Sequence, residues 1–270
     1  MSDIAIQSVK TPDFEMEYVC FGDGPKKLII IPGLSLRSVL ASAAAVETAY
    51  KMFKEDYTVY LFDRKKIVLP GYSIADMAHD MAAALKALGL AHVDVFGTSQ
   101  GGMVGQYLAI EYPELVDHLV LASSSSKAEP LQIEVIEGWA DMAEALKGDE
   151  LVASFIDNAF SPNFLKRYRR ALLVMYRNLT EAEMRRFAIM ARACKGVDSY
   201  DRLGEIKCPV FVIGAGLDHV VSYEASVKIA EKLKACGVPS EFYTYEEYGH
   251  AVYDEAPDYK DRVLNFLRSR

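Results

Sequence analysis

The sequence lacks the features that mark several large classes of protein. Its 270 residues contain no apolar run near the roughly 18 residues that a membrane-spanning helix requires, so we expect no membrane span. Basic residues are not in excess, because 30 Lys and Arg stand against 38 Asp and Glu and give a formal net charge of −8. A nucleic-acid partner is therefore not expected. The first residues lack a basic segment followed by an apolar stretch, so we expect no secretory signal and a cytoplasmic location.

Cysteine is also scarce. The four cysteines (Cys20, Cys194, Cys208 and Cys236) form no CxxC pair and no Cys/His cluster with zinc spacing. We expect reduced thiols, no metal and no organic cofactor. Spacing alone leaves a catalytic cysteine open, although none of the four has the surroundings of a nucleophile. With 51% hydrophobic and 25% charged residues, the composition is that of a folded globular protein.

Short apolar runs alternate with helical periodicity along much of the chain. Several runs are apolar without alternation, which is typical of parallel strands covered on both faces. One helix is predicted to begin after Ser73, an N-cap with Asp76 three residues on. Ile4–Val9 and Glu15–Phe21 predict an antiparallel lead-in to a doubly wound, mostly parallel α/β sheet. The predicted strands of that sheet are Leu28–Ile31, Thr58–Phe62, Val93–Phe96, Leu119–Ala122, Val210–Ile213 and Phe242–Tyr245.

The alternation stops after Ser126, and from Lys127 to Gly204 only helical patterns are found. A helix opens with a capping box at Thr180, and an earlier one is predicted to bury a stripe on one face. We therefore predict an α/β core in two parts, 1–126 and 205–270, with an all-helical insertion over 127–204. The predicted buried stripe consists of Leu165, Tyr168, Leu172, Met175 and Leu179.

The segment with the clearest chemistry is Gly97-Thr98-Ser99-Gln100-Gly101. It is a GxSxG pattern between a predicted strand and a helix that follows from Met103. Small residues let strand and helix converge, and the turn presents the Ser99 hydroxyl at a helix N-terminus, where developing negative charge is favoured. Ser99 is therefore the candidate nucleophile.

A serine hydroxyl needs a base, and the chain has five histidines. Only His219 and His250 follow predicted strands and so lie at the same sheet edge as Ser99. His219 is adjacent to Asp218, a carboxylate well placed to orient the imidazole of His250. We therefore predict His250 as base and Asp218 as acid, with Asp198 or Asp201 as the alternative acids.

The order Ser99, Asp218, His250 is that of the α/β-hydrolase superfamily. The chain resembles a member with a helical cap over nearly its whole length. The resemblance implies a cap inserted after the sixth core strand, and an oxyanion hole from the backbone N–H groups of Gln100 and Leu34. Its other motifs are Ile31-Pro32-Gly33-Leu34, Leu61-Phe62-Asp63, Pro70-Gly71-Tyr72-Ser73, Tyr112-Pro113-Glu114 and Cys208-Pro209-Val210.

This resemblance implies a serine hydrolase that cleaves a small-molecule ester, lactone or thioester through an acyl-enzyme. Acyl transfer or carbon–carbon bond hydrolysis with the same triad is the alternative, and a non-catalytic small-molecule-binding protein is a further one. Between Ser161 and Lys195, nine basic residues stand against Glu181 and Glu183. We interpret these charges as a solvated helix surface in preference to an anion-binding site. The sequence does not indicate the oligomeric state.

Overall fold

A computed structural model describes residues 4–269 of the chain. One sheet of eight strands forms its centre, in the order β1-β2-β4-β3-β5-β6-β7-β8. The first two strands pair antiparallel, β2 joins β4 antiparallel, and every other pairing is parallel. The strands are β1 (Gln7–Lys10), β2 (Glu15–Phe21), β3 (Lys26–Ile31), β4 (Tyr57–Phe62), β5 (Val93–Thr98), β6 (Val116–Ala122), β7 (Val210–Leu217) and β8 (Ser240–Gly249).

Helices cover both faces of the sheet, as parallel strands require. Five of them follow strands of the core and one short helix follows β8; the other four lie between β6 and β7. The helices are α1 (Ala43–Ala49), α2 (Ile74–Ala87), α3 (Gln100–Glu111), α4 (Pro130–Glu144), α5 (Gly148–Ala159), α6 (Pro162–Tyr176), α7 (Glu181–Ala193), α8 (Tyr223–Ala235), α9 (Val252–Glu255) and α10 (Tyr259–Arg268). None of the helices within residues 4–269 is long and apolar enough to span a membrane.

The apolar core divides into two clusters on opposite faces of the sheet. One contains buried side chains of α2, α3 and α8, such as Met81, Val104 and Leu233. The other contains side chains of α10 and the segment around α1, such as Phe53 and Phe266. All six residues of β5 are buried, so the strand that leads into Ser99 is covered on both faces.

The predicted doubly wound, mostly parallel sheet is confirmed. Each of the six predicted strands of the parallel part lies inside an observed one, and Glu15–Phe21 is β2 as predicted, whereas β1 begins at Gln7 and overlaps only the second half of the predicted Ile4–Val9 segment. Both predicted caps are present, at Ser73 and Thr180. At Ser73 the hydroxyl accepts from the Asp76 N–H and the Asp76 carboxylate accepts from the Ser73 N–H, at 3.1 and 2.9 Å. Such a cap stabilises a helix by about 1 kcal/mol.

The four helices α4–α7, which we call the cap helices, pack on the core and share its apolar cluster. Trp139, Ile156 and Phe187 are buried in the same cluster as α2 and α3. Joined to the core in this way, the cap helices form one face of the site region. The boundaries 127 and 204 remain a prediction.

The predicted buried stripe of α6 is wrong in part. Tyr168 and Met175 are 48% and 62% exposed, and Leu179 lies beyond the helix, which ends at Tyr176. Leu165 and Leu172 pack against the core as predicted, and Leu179 does so from beyond the helix. The other residues of α6 that pack there are Phe164, Leu173 and Tyr176. Periodicity predicted the helix correctly, but several apolar faces compete on α6 and only the tertiary structure selects one.

Candidate functional site

Ser99 stands in a sharp turn between β5 and α3. It has φ 52° and ψ −121°, a conformation that a non-glycine side chain rarely adopts. Two contacts to the neighbouring strand hold it there: its N–H donates to the Ala122 carbonyl at 2.8 Å, and the Ser124 hydroxyl donates to the Ser99 carbonyl at 2.8 Å. The turn therefore fixes the backbone that carries the Ser99 hydroxyl.

The glycines of the turn are required by close packing. A Cβ on Gly101 would lie 1.9 Å from the Ile31 carbonyl oxygen, and one on Gly97 would lie 2.4 Å from the Gly101 carbonyl oxygen. Both distances are far below any tolerated contact, and the atoms met are backbone. The GxSxG pattern therefore reflects the convergence of β3, β5 and α3 at one point.

His250 and Asp218 lie side by side because of the register between β7 and β8. Leu217 pairs with Gly249, so the two residues that follow leave the sheet together. A Cβ on Gly216 would lie 2.4 Å from the Glu246 carbonyl oxygen, which shows how closely the strands approach at this irregular register. The predicted strands end at Ile213 and Tyr245, whereas the observed strands run on to Leu217 and Gly249, directly before Asp218 and His250.

The Asp218–His250 pair is buried and hydrogen-bonded. Nδ1 of His250 is 2.8 Å from Oδ2 of Asp218, and the two residues are 7% and 5% exposed. The other oxygen, Oδ1, accepts from the N–H groups of Val220 and Val221 at 2.8 and 3.0 Å. A carboxylate that accepts at Nδ1 leaves Nε2 of His250 as the nitrogen available for proton transfer.

The other histidines have different surroundings. His219 is exposed, whereas His250 is buried. His92 and His118 lie near the opposite edge of the sheet, as predicted, and pair with Asp117 and Asp94; the fifth histidine, His79, pairs with Glu111 across the α2–α3 surface.

The two predicted oxyanion donors adjoin the Ser99 turn: Gln100 follows Ser99 directly, and Leu34 follows Gly33, which packs against Ser99. Within residues 4–269, the backbone N–H groups of Gln100 and Leu34 have no acceptor. Gly33 holds Leu34 near the turn, since a Cβ on Gly33 would lie 3.1 Å from Ser99 Cβ and 3.7 Å from Ser99 Oγ. Gln100 also begins α3, whose N-terminus favours negative charge.

The Gln100 side chain turns away from this point and ties α3 to the cap helices. Its Nε2 donates to the Met190 carbonyl at 2.8 Å and to Cys194 Sγ at 3.2 Å. Its Oε1 accepts from Arg64 at 3.3 Å. These contacts involve only the side chain of Gln100, so they leave its backbone N–H free to donate to another acceptor.

Sequence reasoning missed three residues around the site. Ser124 supports the turn, and the only signal for it was a run of serines after β6. Glu255 holds the His250 loop to the start of α6: its Oε1 accepts from the N–H groups of Gly249 and Ser161 at 3.2 and 3.0 Å, and its other oxygen accepts from the Ser161 hydroxyl. Arg64 is buried beside Gln100, and neither of these two had a recognisable sequence pattern.

The described residues contain no clustered set of metal ligands, and two of the four cysteines are buried. No group of three or more His, Cys, Asp or Glu within residues 4–269 could hold a metal ion. All four cysteines are free thiols. Burial raises the pKa of Cys194 to about 11 and that of Cys208 to about 12, so both disfavour the reactive thiolate.

Comparison with known proteins agrees with this architecture. The family model for the alpha/beta hydrolase fold matches residues 28–257. A protein of Rhizobium rhizogenes named as carbamate hydrolase RutD is 29% identical over 80% of this chain and 84% of its own length. The 3-oxoadipate enol-lactonase 2 of Acinetobacter baylyi is 25% identical over 78% of each chain. The enol-lactonase of Burkholderia xenovorans superposes with a TM-score of 0.83 over 97% of this chain and 100% of that one, at 16% identity. The chain belongs to the alpha/beta hydrolase fold family and is an enzyme of that family.

Proposed function

We propose that the protein is a serine hydrolase that cleaves a carboxylic ester or a related acyl compound, such as a lactone or thioester. The observation that carries the proposal is the buried Asp218–His250 hydrogen bond at the sheet edge that also carries the strained Ser99 turn. Names of relatives that refer to carbamate and enol-lactone hydrolysis support an acyl substrate of the ester or amide type.

In the proposed acylation, Ser99 Oγ attacks the carbonyl carbon and its proton passes to Nε2 of His250. The carbonyl π electrons move to oxygen, and the N–H groups of Gln100 and Leu34 stabilise that oxyanion. The intermediate collapses, the carbon–oxygen bond to the leaving alcohol breaks, and the alcohol takes the proton from His250. Asp218 stabilises the imidazolium and keeps its Nδ1 protonated.

Deacylation repeats the sequence with water. His250 takes one proton from water, the resulting hydroxide attacks the acyl carbon, and Ser99 leaves as its alcohol with the proton returned by His250. Acyl transfer would use another alcohol or thiol in place of water.

A fluorophosphonate probe and p-nitrophenyl esters of increasing chain length test the proposal. We expect one labelled site, lost in Ser99→Ala without change in the circular dichroism spectrum, and ester turnover that is lost in the same variant. Persistent labelling of Ser99→Ala would identify another nucleophile. An unlabelled wild-type protein that turns over none of the esters would favour a binding protein.

A further inference from the structure

A small cavity lies beside the Ser99 turn, between the loops after β3 and β4 and the cap helix α7. Its volume is about 30 Å³. A single water needs roughly 10–15 Å³, so the space suits a group the size of a carboxylate. Gly33 and Gln100 line it and both adjoin Ser99, so the cavity is a neighbour of the Ser99 turn, although Ser99 itself does not line it. The charged residues of its wall are Arg37, Asp63, Arg64, Glu183 and Arg186.

Arg64 is the most buried charged group of this wall, with an exposure of 4%. Its Nη2 donates to the Pro32 carbonyl at 2.9 Å and to Gln100 Oε1 at 3.3 Å. Its Nε is fully buried and has no acceptor among the described residues. Nη1 makes no hydrogen bond within residues 4–269 either, and unlike Nε it is not fully buried. A guanidinium stays protonated in proteins, so this donor capacity is charged and unused.

The other charges of the wall are already paired. Arg37 Nε is 3.2 Å from Glu183 Oε1, and Arg186 Nη2 is 3.5 Å from Asp63 Oδ1. Asp63 contacts Arg64 through the backbone N–H of Arg64, at 2.7 Å, and not through its guanidinium.

The wall therefore holds three cations and two anions, and the cation without a carboxylate is Arg64. Burying such a charge is costly unless an anion joins it. A carboxylate is the natural partner for the accessible Nη1, because a hydrogen bond between a guanidinium and an ionised oxygen is charge-assisted and stronger than one to a neutral acceptor.

We propose that Arg64 binds the free carboxylate of an anionic substrate whose second, acylated carboxyl group is attacked by Ser99. The substrate class is then a half-ester or lactone derived from a short dicarboxylic acid. This inference rests on the proposed hydrolase function. A purely structural role would instead confine Arg64 to holding the Pro32 carbonyl and Gln100.

The two roles differ in how they affect neutral and anionic substrates. We would measure kcat/KM for the monomethyl and dimethyl esters of succinic, glutaric and adipic acids in the wild type, Arg64→Gln, Arg64→Lys and, as a matched control, Arg37→Gln. We expect the wild type to prefer at least one monoester over its diester by on the order of 10- to 100-fold. Arg64→Gln should abolish most of that preference, and Arg64→Lys should keep part of it.

The ratio of the two esters cancels general damage to the enzyme. Arg37→Gln should lower both esters by the same factor, because Arg37 already has a carboxylate and three carbonyl acceptors. An unchanged monoester-to-diester ratio in Arg64→Gln would overturn the inference, as would a wild type without preference.

A binding measurement covers the cases in which Arg64→Gln does not fold or the esters are not cleaved. Glutarate should raise the Tm of Ser99→Ala and of the wild type, whereas neutral glutaramide should not. Equal shifts, or none with glutarate, would overturn the anion site. Loss of all turnover and labelling in the wild type, with the glutarate shift retained, would instead contradict the proposed hydrolase function alone.

Discussion

Ser99 has φ 52° and ψ −121°, a conformation that costs a non-glycine residue about 1–3 kcal/mol. The energy has to come from the packing around the turn, and Gly101 is its tightest point. The glycines of the chain therefore differ: close backbone contact requires a glycine at position 101, whereas no neighbouring atom requires one at position 138.

We expect Gly101→Ala to destabilise the protein strongly, because its Cβ would lie 1.9 Å from the Ile31 carbonyl oxygen. Gly138 provides the matched control: it lies inside α4, and a Cβ there would meet nothing within 4 Å. Gly138→Ala should stabilise by about 0.5–1 kcal/mol, since alanine restricts the unfolded chain and favours the helix. Urea unfolding of the two variants measures both effects. Equal stabilities would show that the turn relaxes around the new side chain.

The different roles proposed for His250 and His219 give a second prediction. His250→Ala should remove nearly all ester turnover, whereas His219→Ala should retain most of it, because only His250 is bonded to Asp218. Asp218→Asn should lower kcat by orders of magnitude through loss of tautomer control. The measurement is kcat/KM for one p-nitrophenyl ester in all three variants. An active His250→Ala beside an inactive His219→Ala would exchange the assignments. A mild effect of Asp218→Asn would point to another acid.

The carboxylate of Glu255 connects three elements: β8, α9 and the start of α6. Glu255 of α9 accepts hydrogen bonds from Gly249 and Ser161, and the Ala251 N–H donates to the Ala159 carbonyl at 2.8 Å. The residues directly before and after His250 both make these contacts, which attach its loop to the cap helices. Glu255 is therefore placed to position His250 without contacting substrate.

Glu255→Ala should lower both stability and kcat. Each buried donor left without an acceptor costs about 1–3 kcal/mol, and a loosened loop misplaces His250. Glu255→Gln is the matched control, because its amide oxygen can still accept from both N–H groups. Thermal unfolding and the turnover of one p-nitrophenyl ester measure the two effects. A Glu255→Ala variant with reduced Tm and unchanged kcat would show that the contact serves stability alone.

The elements also show how far the sequence was informative. The strands and the Ser99 turn were predictable, because unbroken apolar runs and a GxSxG pattern have few structural alternatives. Helix α5 was not predicted, and the buried face of α6 was misjudged at Tyr168 and Met175. Those features depend on which helix packs where. Ser124, Glu255 and Arg64 act through contacts between distant segments, which periodicity does not describe.

Over the whole molecule, the stretch of sequence richest in basic residues is not the place where a positive charge is best placed to meet an anion. Of the nine basic residues between Ser161 and Lys195, Arg192 contacts the carboxylates of Glu137, Asp141 and Glu144, and Arg169 pairs with Asp157. The exposed majority agrees with the solvated surface that we expected. The positive charge best placed to meet an anion is instead Arg64, a single buried residue of the core that no charge run revealed.

Catalysis through His250 should make the activity of the whole enzyme depend on pH. The imidazole must be neutral to accept the proton of Ser99. We therefore expect kcat/KM to fall on the acidic side through one ionisation, approaching a tenfold loss for each pH unit. A pH profile of kcat/KM with a substrate that does not itself titrate in this range measures the midpoint and the slope.

Asp254 of α9 is the group that could imitate this ionisation, because desolvation by its neighbours raises its pKa to about 6. If His250 is the base, Asp254→Asn should keep the acidic limb at the same midpoint and slope. If the acidic limb disappears or moves by more than about one pH unit, the ionisation belongs to Asp254.

Asp254→Asn should also change how the stability of the protein depends on pH. A carboxyl whose pKa is raised in the folded state binds protons more readily there, so its contribution to stability is present below the unfolded pKa and is lost as pH rises through about 6. Asp254→Asn should therefore raise Tm at pH 8 relative to the wild type more than at pH 4, and only by a small amount, because Asp254 is exposed to solvent.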